Sequence, residues 1–149
     1  CYAFDPFIEK ADIEKDGVKV LDSVEELYST CQYISLHIPA NEKTRGSIDA
    51  ALMNSMPAGA TLVNTARKEV VCEESLKKVF ADRKDFVYIS DIAPDCAPEI
   101  EEKFAGRFFF TPKKMGAQTA EANINAGIAA ANQIKNYLEN GDRTFQVNK

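Results

Sequence analysis

The sequence has one histidine, no Cys-x-x-Cys pair, no long apolar run and no excess of basic charge. Each shortage removes a class of function. Lysine and arginine total 18 against 23 acids, a formal net charge of -5. A nucleic-acid partner needs a basic face, so none is expected. No segment approaches the ~20 apolar residues of a membrane span, so no membrane is expected either. Cys1, Cys31, Cys72 and Cys96 lie far apart. That spacing disfavours zinc, leaves no metal expected, and fits free thiols in a reducing cytoplasm. There are no internal repeats and no low-complexity segment, and no signal peptide is visible in these residues. The chain opens at Cys1 and not at methionine, so a segment upstream of it is expected. A Gly-rich phosphate loop is also missing. What remains is 149 residues, 45% hydrophobic and 28% charged, enough for a globular domain with a core.

Short apolar runs alternate with amphipathic stretches, which predicts an α/β fold with a mostly parallel sheet. Strands are expected at residues 2–4, 18–21, 33–38, 60–64, 86–90 and 108–111. Helices are expected at 23–31, 49–56, 73–83, 97–104 and 119–139. Ser23 and Glu26 have the spacing of a capping box. In the last helix Ile124, Ile128, Ala131, Ile134 and Leu138 recur every three or four residues, and Gly141 suits a C-cap.

The most informative stretch is Asn64-Thr65-Ala66-Arg67, directly after an apolar strand pattern. Open α/β sheets bind ligands at the C-terminal ends of their strands. A guanidinium there can grip a carboxylate through two parallel hydrogen bonds. The plain alternative is a solvated loop arginine. Asp5 follows the first strand. It suits a ribose-binding acid that favours NAD over NADP, or a turn aspartate before Pro6. His37 lies inside a strand pattern with no obvious carboxylate partner, so a packed or cofactor-flanking role fits it better than catalysis. Asp91 ends another strand and suits either the amide of a nicotinamide or a helix N-cap. Lys113 and Lys114 follow Thr111-Pro112. Exposed lysines are usually solvated, but one partly buried near an arginine has a lowered pKa and can exchange protons.

Taken in order, these pieces resemble the C-terminal part of the NAD-dependent D-2-hydroxyacid dehydrogenases, most closely the short D-3-phosphoglycerate dehydrogenases. The resemblance runs through Asp5-Pro6, Ser35-Leu36-His37-Ile38-Pro39, Thr44-Arg45-Gly46, Asn64-Thr65-Ala66-Arg67, Ser90-Asp91-Ile92, Thr111-Pro112 with Gly116-Ala117, and Glu121-Ala122. It implies the later part of a Rossmann-type doubly wound parallel sheet, then a long helix returning to a substrate domain. Residues 1–117 would be an incomplete NAD-binding domain and residues 118–149 the returning helix and tail. The family's first strand and Gly-rich loop would precede Asp5. That strand would lie between strands present here, so a gap is expected in the sheet.

The resemblance also implies hydride transfer between NAD and a D-2-hydroxy acid. D-3-phosphoglycerate, oxidised to 3-phosphohydroxypyruvate in serine biosynthesis, leads. Glyoxylate or hydroxypyruvate reduction, or a non-catalytic NAD-sensing module, are the alternatives. Arg67 would bind the substrate carboxylate, Asp5 the ribose, and Asp91 the nicotinamide. His37, Pro39, Thr65, Ala66 and Gly116 would border the cofactor. A cytoplasmic homodimer acting on a small molecule is expected.

Three departures from the family pattern matter. The usual catalytic histidine is missing, and counting back from Gly116 puts Lys114 in its place, as in a lysine-using subgroup. Cys96, with Asp95 beside it, occupies the place of the glutamate that supports the histidine. A lysine has no tautomer to fix, so the two losses agree. Lys68 and Cys72 replace a glycine and an acid around the arginine loop.

Overall fold

The computed structural model describes residues 1–112 and 119–148. They belong to two compact units, Cys1–Lys113 and Lys114–Lys149. Lys114, Gly116 and the expected boundary at 117 lie outside the described residues. No helix among the described residues is long and apolar enough to cross a membrane.

In the first unit six strands and five α-helices alternate. They run β1 (Tyr2–Ala3), α1 (Lys10–Glu14), β2 (Lys19–Val20), α2 (Val24–Thr30), β3 (Tyr33–Leu36), α3 (Ala50–Ser55), β4 (Thr61–Asn64), a 3₁₀ turn (Lys68–Val70), α4 (Glu73–Asp82), β5 (Val87–Ser90), α5 (Ala97–Lys103) and β6 (Phe108–Phe110). Every expected strand and helix is present, with ends that differ by a residue or two from those expected. The 3₁₀ turn and α1 were not expected. Neither has an apolar period to announce it, and α1 buries no residue.

All pairings are parallel. β3, β4, β5 and β6 form one sheet in chain order, with Leu36 opposite Asn64 and Asn64 opposite Ser90. Side chains alternate across a sheet. One face therefore carries Ile34, Leu36, Leu62 and Tyr88 into a core with Tyr28, Met53, Leu76, Val79, Phe80 and Ile100 from the helices. Tyr33 and Phe109 are exposed large hydrophobics. Caps fix the helix starts. Ser23 Oγ accepts from Glu26 N at 3.0 Å, and Asp49 Oδ1 accepts from Leu52 N at 3.0 Å. The Glu26 carboxylate completes the box one residue early, accepting from Asp22 N at 2.9 Å and not from the Ser23 amide.

β1 and β2 pair with each other and form a separate sheet. A cavity of about 530 Å³ lies between β1 and β3, lined by Ala3, Phe4, Leu27, Tyr28, Ile34 and Leu36 among others. The two sheets are separate at the place where the resemblance leads to an expected gap. Tyr28 borders it, and its Oη is the one buried side-chain polar atom without a hydrogen bond among the described residues. Burial pushes its hydroxyl pKa up, so it stays protonated.

The second unit is α6 (Ala120–Asn140) and its tail. Thr119 caps it, accepting from Ala122 N at 3.0 Å. Gly141 ends it in the left-handed region at φ 65°, where glycine avoids a Cβ clash. The expected apolar stripe is present, yet Ile124, Ile128, Ile134 and Leu138 are all exposed.

Candidate active site

Because the strands are parallel, the residues that follow them gather at one edge of the sheet. Register makes Leu36, Asn64, Ser90 and Phe110 a single rank across β3 to β6. His37, Thr65, Asp91 and Thr111 come next in the chain. Neighbouring strands lie ~4.8 Å apart, so this rank spans roughly 15 Å. Asp5 and His37 border the same cavity, which puts the end of β1 beside the end of β3.

The turn carrying Arg67 is built around Asn64, which is 1% exposed. Asn64 Oδ1 accepts from Ala66 N at 3.1 Å. Its Nδ2 donates to Arg67 O at 2.9 Å and to Tyr88 Oη at 3.2 Å. One buried amide thus closes the Thr65-Ala66-Arg67 turn from inside. Arg67 is exposed, and its Nη1 donates to Ala66 O at 2.7 Å. Thr65 is exposed and Ala66 half-buried.

β5 is tied to the same edge. Ser90, 2% exposed, places Oγ 3.0 Å from Asn64 O and 2.8 Å from Ile92 O, its one proton shared between the two carbonyls. Asp91 N donates to Asn64 O at 3.3 Å, and Thr111 Oγ1 donates to Asp91 O at 2.7 Å. The ends of β4, β5 and β6 are therefore cross-linked by hydrogen bonds, with Asp91 half-buried among them.

A second clamp holds the loop after β5. The Glu73 carboxylate, at the start of α4, accepts from Asp95 N and Cys96 N, each at 2.8 Å. Lys68 Nζ pairs with Asp95 Oδ1 at 2.6 Å, which raises the lysine pKa. Lys68 and Cys96 are two of the positions that depart from the family pattern, and here, with Asp95, they join the two loops. Burial first, then Glu73, push the Cys96 thiol up to about 12, so it stays a neutral thiol near pH 7. Cys72 shifts the other way, lowered mainly by the Ser75 hydroxyl.

At the β1 side, Asp5 Oδ1 accepts from Phe7 N at 2.8 Å, the turn geometry that was one of its two expected roles. The same half-buried carboxylate borders the cavity. His37 is exposed, and its Nε2 lies 2.9 Å from Ser35 Oγ. Pro39 is exposed, and its carbonyl accepts from Thr44 Oγ1 at 2.5 Å. Lys114 and Gly116 lie outside the described residues, so the roles expected of them rest on the sequence alone.

The sequence signalled Arg67 but not what holds it. Asn64 and Ser90 sit on the buried phase of their strands, two residues after Leu62 and Tyr88. A polar residue on a buried phase must be hydrogen-bonded, and that was the available signal. Glu73 gave none, because a first-turn acid is ordinary on any helix.

The family model described as the D-isomer specific 2-hydroxyacid dehydrogenase NAD binding domain matches residues 1–112. The chain is 32% identical over 138 residues to D-3-phosphoglycerate dehydrogenase of Haemophilus influenzae, covering 89% of this chain and 33% of that protein. It is 31% identical over 136 residues to hydroxypyruvate reductase of Thermotoga maritima, covering 89% of this chain and 43% of that one. Among solved structures it is similar to NAD+-bound 3-phosphoglycerate dehydrogenase from Entamoeba histolytica. That match has 45% identity and a TM-score of 0.80 over 97% of this chain and 45% of the other. The chain spans less than half the length of each of these relatives.

Proposed function

Because the chain belongs to the D-isomer specific 2-hydroxyacid dehydrogenases, matching their NAD-binding domain, we propose that the protein carrying it transfers hydride between NAD and a D-2-hydroxy acid. The substrate we propose is D-3-phosphoglycerate, oxidised to 3-phosphohydroxypyruvate as a step in serine biosynthesis. The relatives named D-3-phosphoglycerate dehydrogenase support this choice. The hydroxypyruvate reductase match favours a second reading, reduction of hydroxypyruvate or glyoxylate by the same chemistry.

Arg67 carries the reading. It stands exposed at the end of β4, on a turn fixed from below. A bidentate grip on the substrate carboxylate orients C2 and draws electron density from it. Asp5 is placed to accept from the two ribose hydroxyls and to repel a 2′-phosphate. Asp91 would receive the nicotinamide amide, with His37, Pro39, Thr65, Ala66 and Gly116 along the cofactor. These residues suit a dinucleotide: an acid borders the cavity, and the sheet edge beside it is open and polar. Bound NAD supplies the hydride acceptor at its nicotinamide ring. Lys114 would take the hydroxyl proton during oxidation and return it during reduction. No metal is needed, because the guanidinium polarises the reacting group. Residues 118–149 would carry the chain back to a substrate domain whose surface covers Ile124, Ile128, Ile134 and Leu138. The partner is a small molecule, and the protein would act as a cytoplasmic homodimer.

Arg67→Lys tests this in the protein as its reading frame encodes it. NADH binding should be kept and most turnover lost, since lysine cannot form the two-point grip. Turnover near that of the wild type would remove Arg67 from the mechanism.

A further inference from the structure

We propose that Asn64 is the positioning residue of Arg67, setting where the guanidinium meets the substrate carboxylate. This rests on the reading above that Arg67 grips that carboxylate. Arg67 is exposed, so packing does little to hold it. Its main chain, in contrast, is held by a group that solvent hardly reaches. Asn64 bonds the turn at two points, accepting from Ala66 N and donating to Arg67 O. The third bond, from Nδ2 to Tyr88 Oη, anchors the amide to the neighbouring strand. The Asn64 main-chain oxygen also receives Ser90 Oγ and Asp91 N. One residue therefore links the arginine turn to the strand end that carries Asp91.

The polarity of these bonds sets a requirement that an amide meets and an ionised carboxylate does not. The turn needs an acceptor toward Ala66 N and a donor toward Arg67 O. Asn64→Asp keeps the shape and the acceptor. When ionised it turns a lone pair toward the Arg67 carbonyl, and the turn should open. When protonated it again offers a donor. Burial disfavours the ionised form, so the introduced carboxyl should titrate above the ordinary carboxylate range. The titratable group bonded to the Asn64 side chain is Tyr88 from β5, while Arg67 meets that side chain through its main-chain oxygen and Asp91 meets the Asn64 carbonyl through its main-chain nitrogen. Glu73 and Cys96 act on Tyr88 from beyond it.

The experiment is a pH profile of kcat/KM for the hydroxy acid, as the ratio of Asn64→Asp to wild type at each pH. Taking the ratio removes the titration of the catalytic lysine. The ratio should be about 0.1 or lower at high pH and should rise toward one as pH falls and the carboxyl gains its proton. KM for NADH should change less than about threefold, which a general loss of structure would not permit. Asn64→Ser can still accept from Ala66 N but is too short to reach Arg67 O. It should raise KM for the hydroxy acid about tenfold at every pH, and it keeps the proposal testable if Asn64→Asp fails to fold. A ratio near one at all pH overturns the proposal, as does a flat loss shared equally by NADH. If Arg67→Lys is as active as wild type, the carboxylate-grip reading falls instead. If Arg67→Lys is inactive while both Asn64 variants match wild type, only this proposal falls.

Discussion

Arg83 should be the largest single polar contributor to the stability of the first unit. It follows α4, and its side chain is only 14% exposed. Nη1 donates to Met53 O and Met56 O, each at 3.0 Å, and Nη2 donates to Pro57 O at 2.9 Å. These carbonyls lie at and just past the C-terminal end of α3, where a helix leaves acceptors unpaired. The guanidinium also sits 6.0 Å from the Phe86 ring. Arg83→Met keeps the apolar stem and removes every donor. A hydrogen bond from a charged donor is worth ~1.5–3 kcal/mol net. Water can recover part of three carbonyls near the surface, so the expected cost is about 2–4 kcal/mol and not the full sum. The Asp85 pair adds little, since that carboxylate is 41% exposed. A urea titration should show a lower midpoint with an unchanged slope. A loss below about 0.5 kcal/mol would refute the argument that these bonds cap α3. The same cluster has a pH signature. Arg83, then the Gly59 N–H, hold the Asp85 carboxyl below its ordinary value. Its contribution is therefore present above the unfolded carboxylate value of ~3.9 and is lost as pH falls toward the lower folded one. Asp85→Asn should flatten that acid limb.

Two further outcomes follow from the site. Lys114→Met should lower kcat by ~100- to 10,000-fold with NADH affinity nearly unchanged, while Lys113→Met does much less; a reversed order in steady-state kinetics would make Lys113 the proton carrier. Wild type should prefer NAD to NADP, and Asp5→Ala should narrow that preference; equal use of both by the wild type would remove Asp5 from cofactor selection.

The sheet was legible because its strands are short apolar runs, and the turns before α2 and α3 carry their own caps, Ser23 and Asp49. Arg67 was singled out by its place after a buried run, and it does stand exposed past that strand end, although a solvated loop arginine would stand there too. The separate β1–β2 sheet was legible only through the family resemblance. Nothing in its two-residue strands tells which neighbour they pair with. The clamps were not legible. Glu73 meets Asp95 and Cys96 more than twenty residues along, and such contacts are set by packing and leave no local pattern. Asn64 lay in plain view in Asn64-Thr65-Ala66-Arg67. Its role depends on which atom of one amide faces which backbone group, and that appears only once the turn is folded.

The central claim is hydride exchange between NAD and a D-2-hydroxy acid at the C-terminal edge of β4. It is tested most directly by following NADH absorbance in the complete protein supplied with NAD and either D- or L-hydroxy acids, D-3-phosphoglycerate first. The account predicts NADH formation with the D-acid, little with its mirror image, and loss of that signal in Arg67→Lys. A protein that binds NADH tightly yet oxidises no hydroxy acid and reduces no 2-keto acid would contradict it, and would mark the domain as an NAD-sensing module.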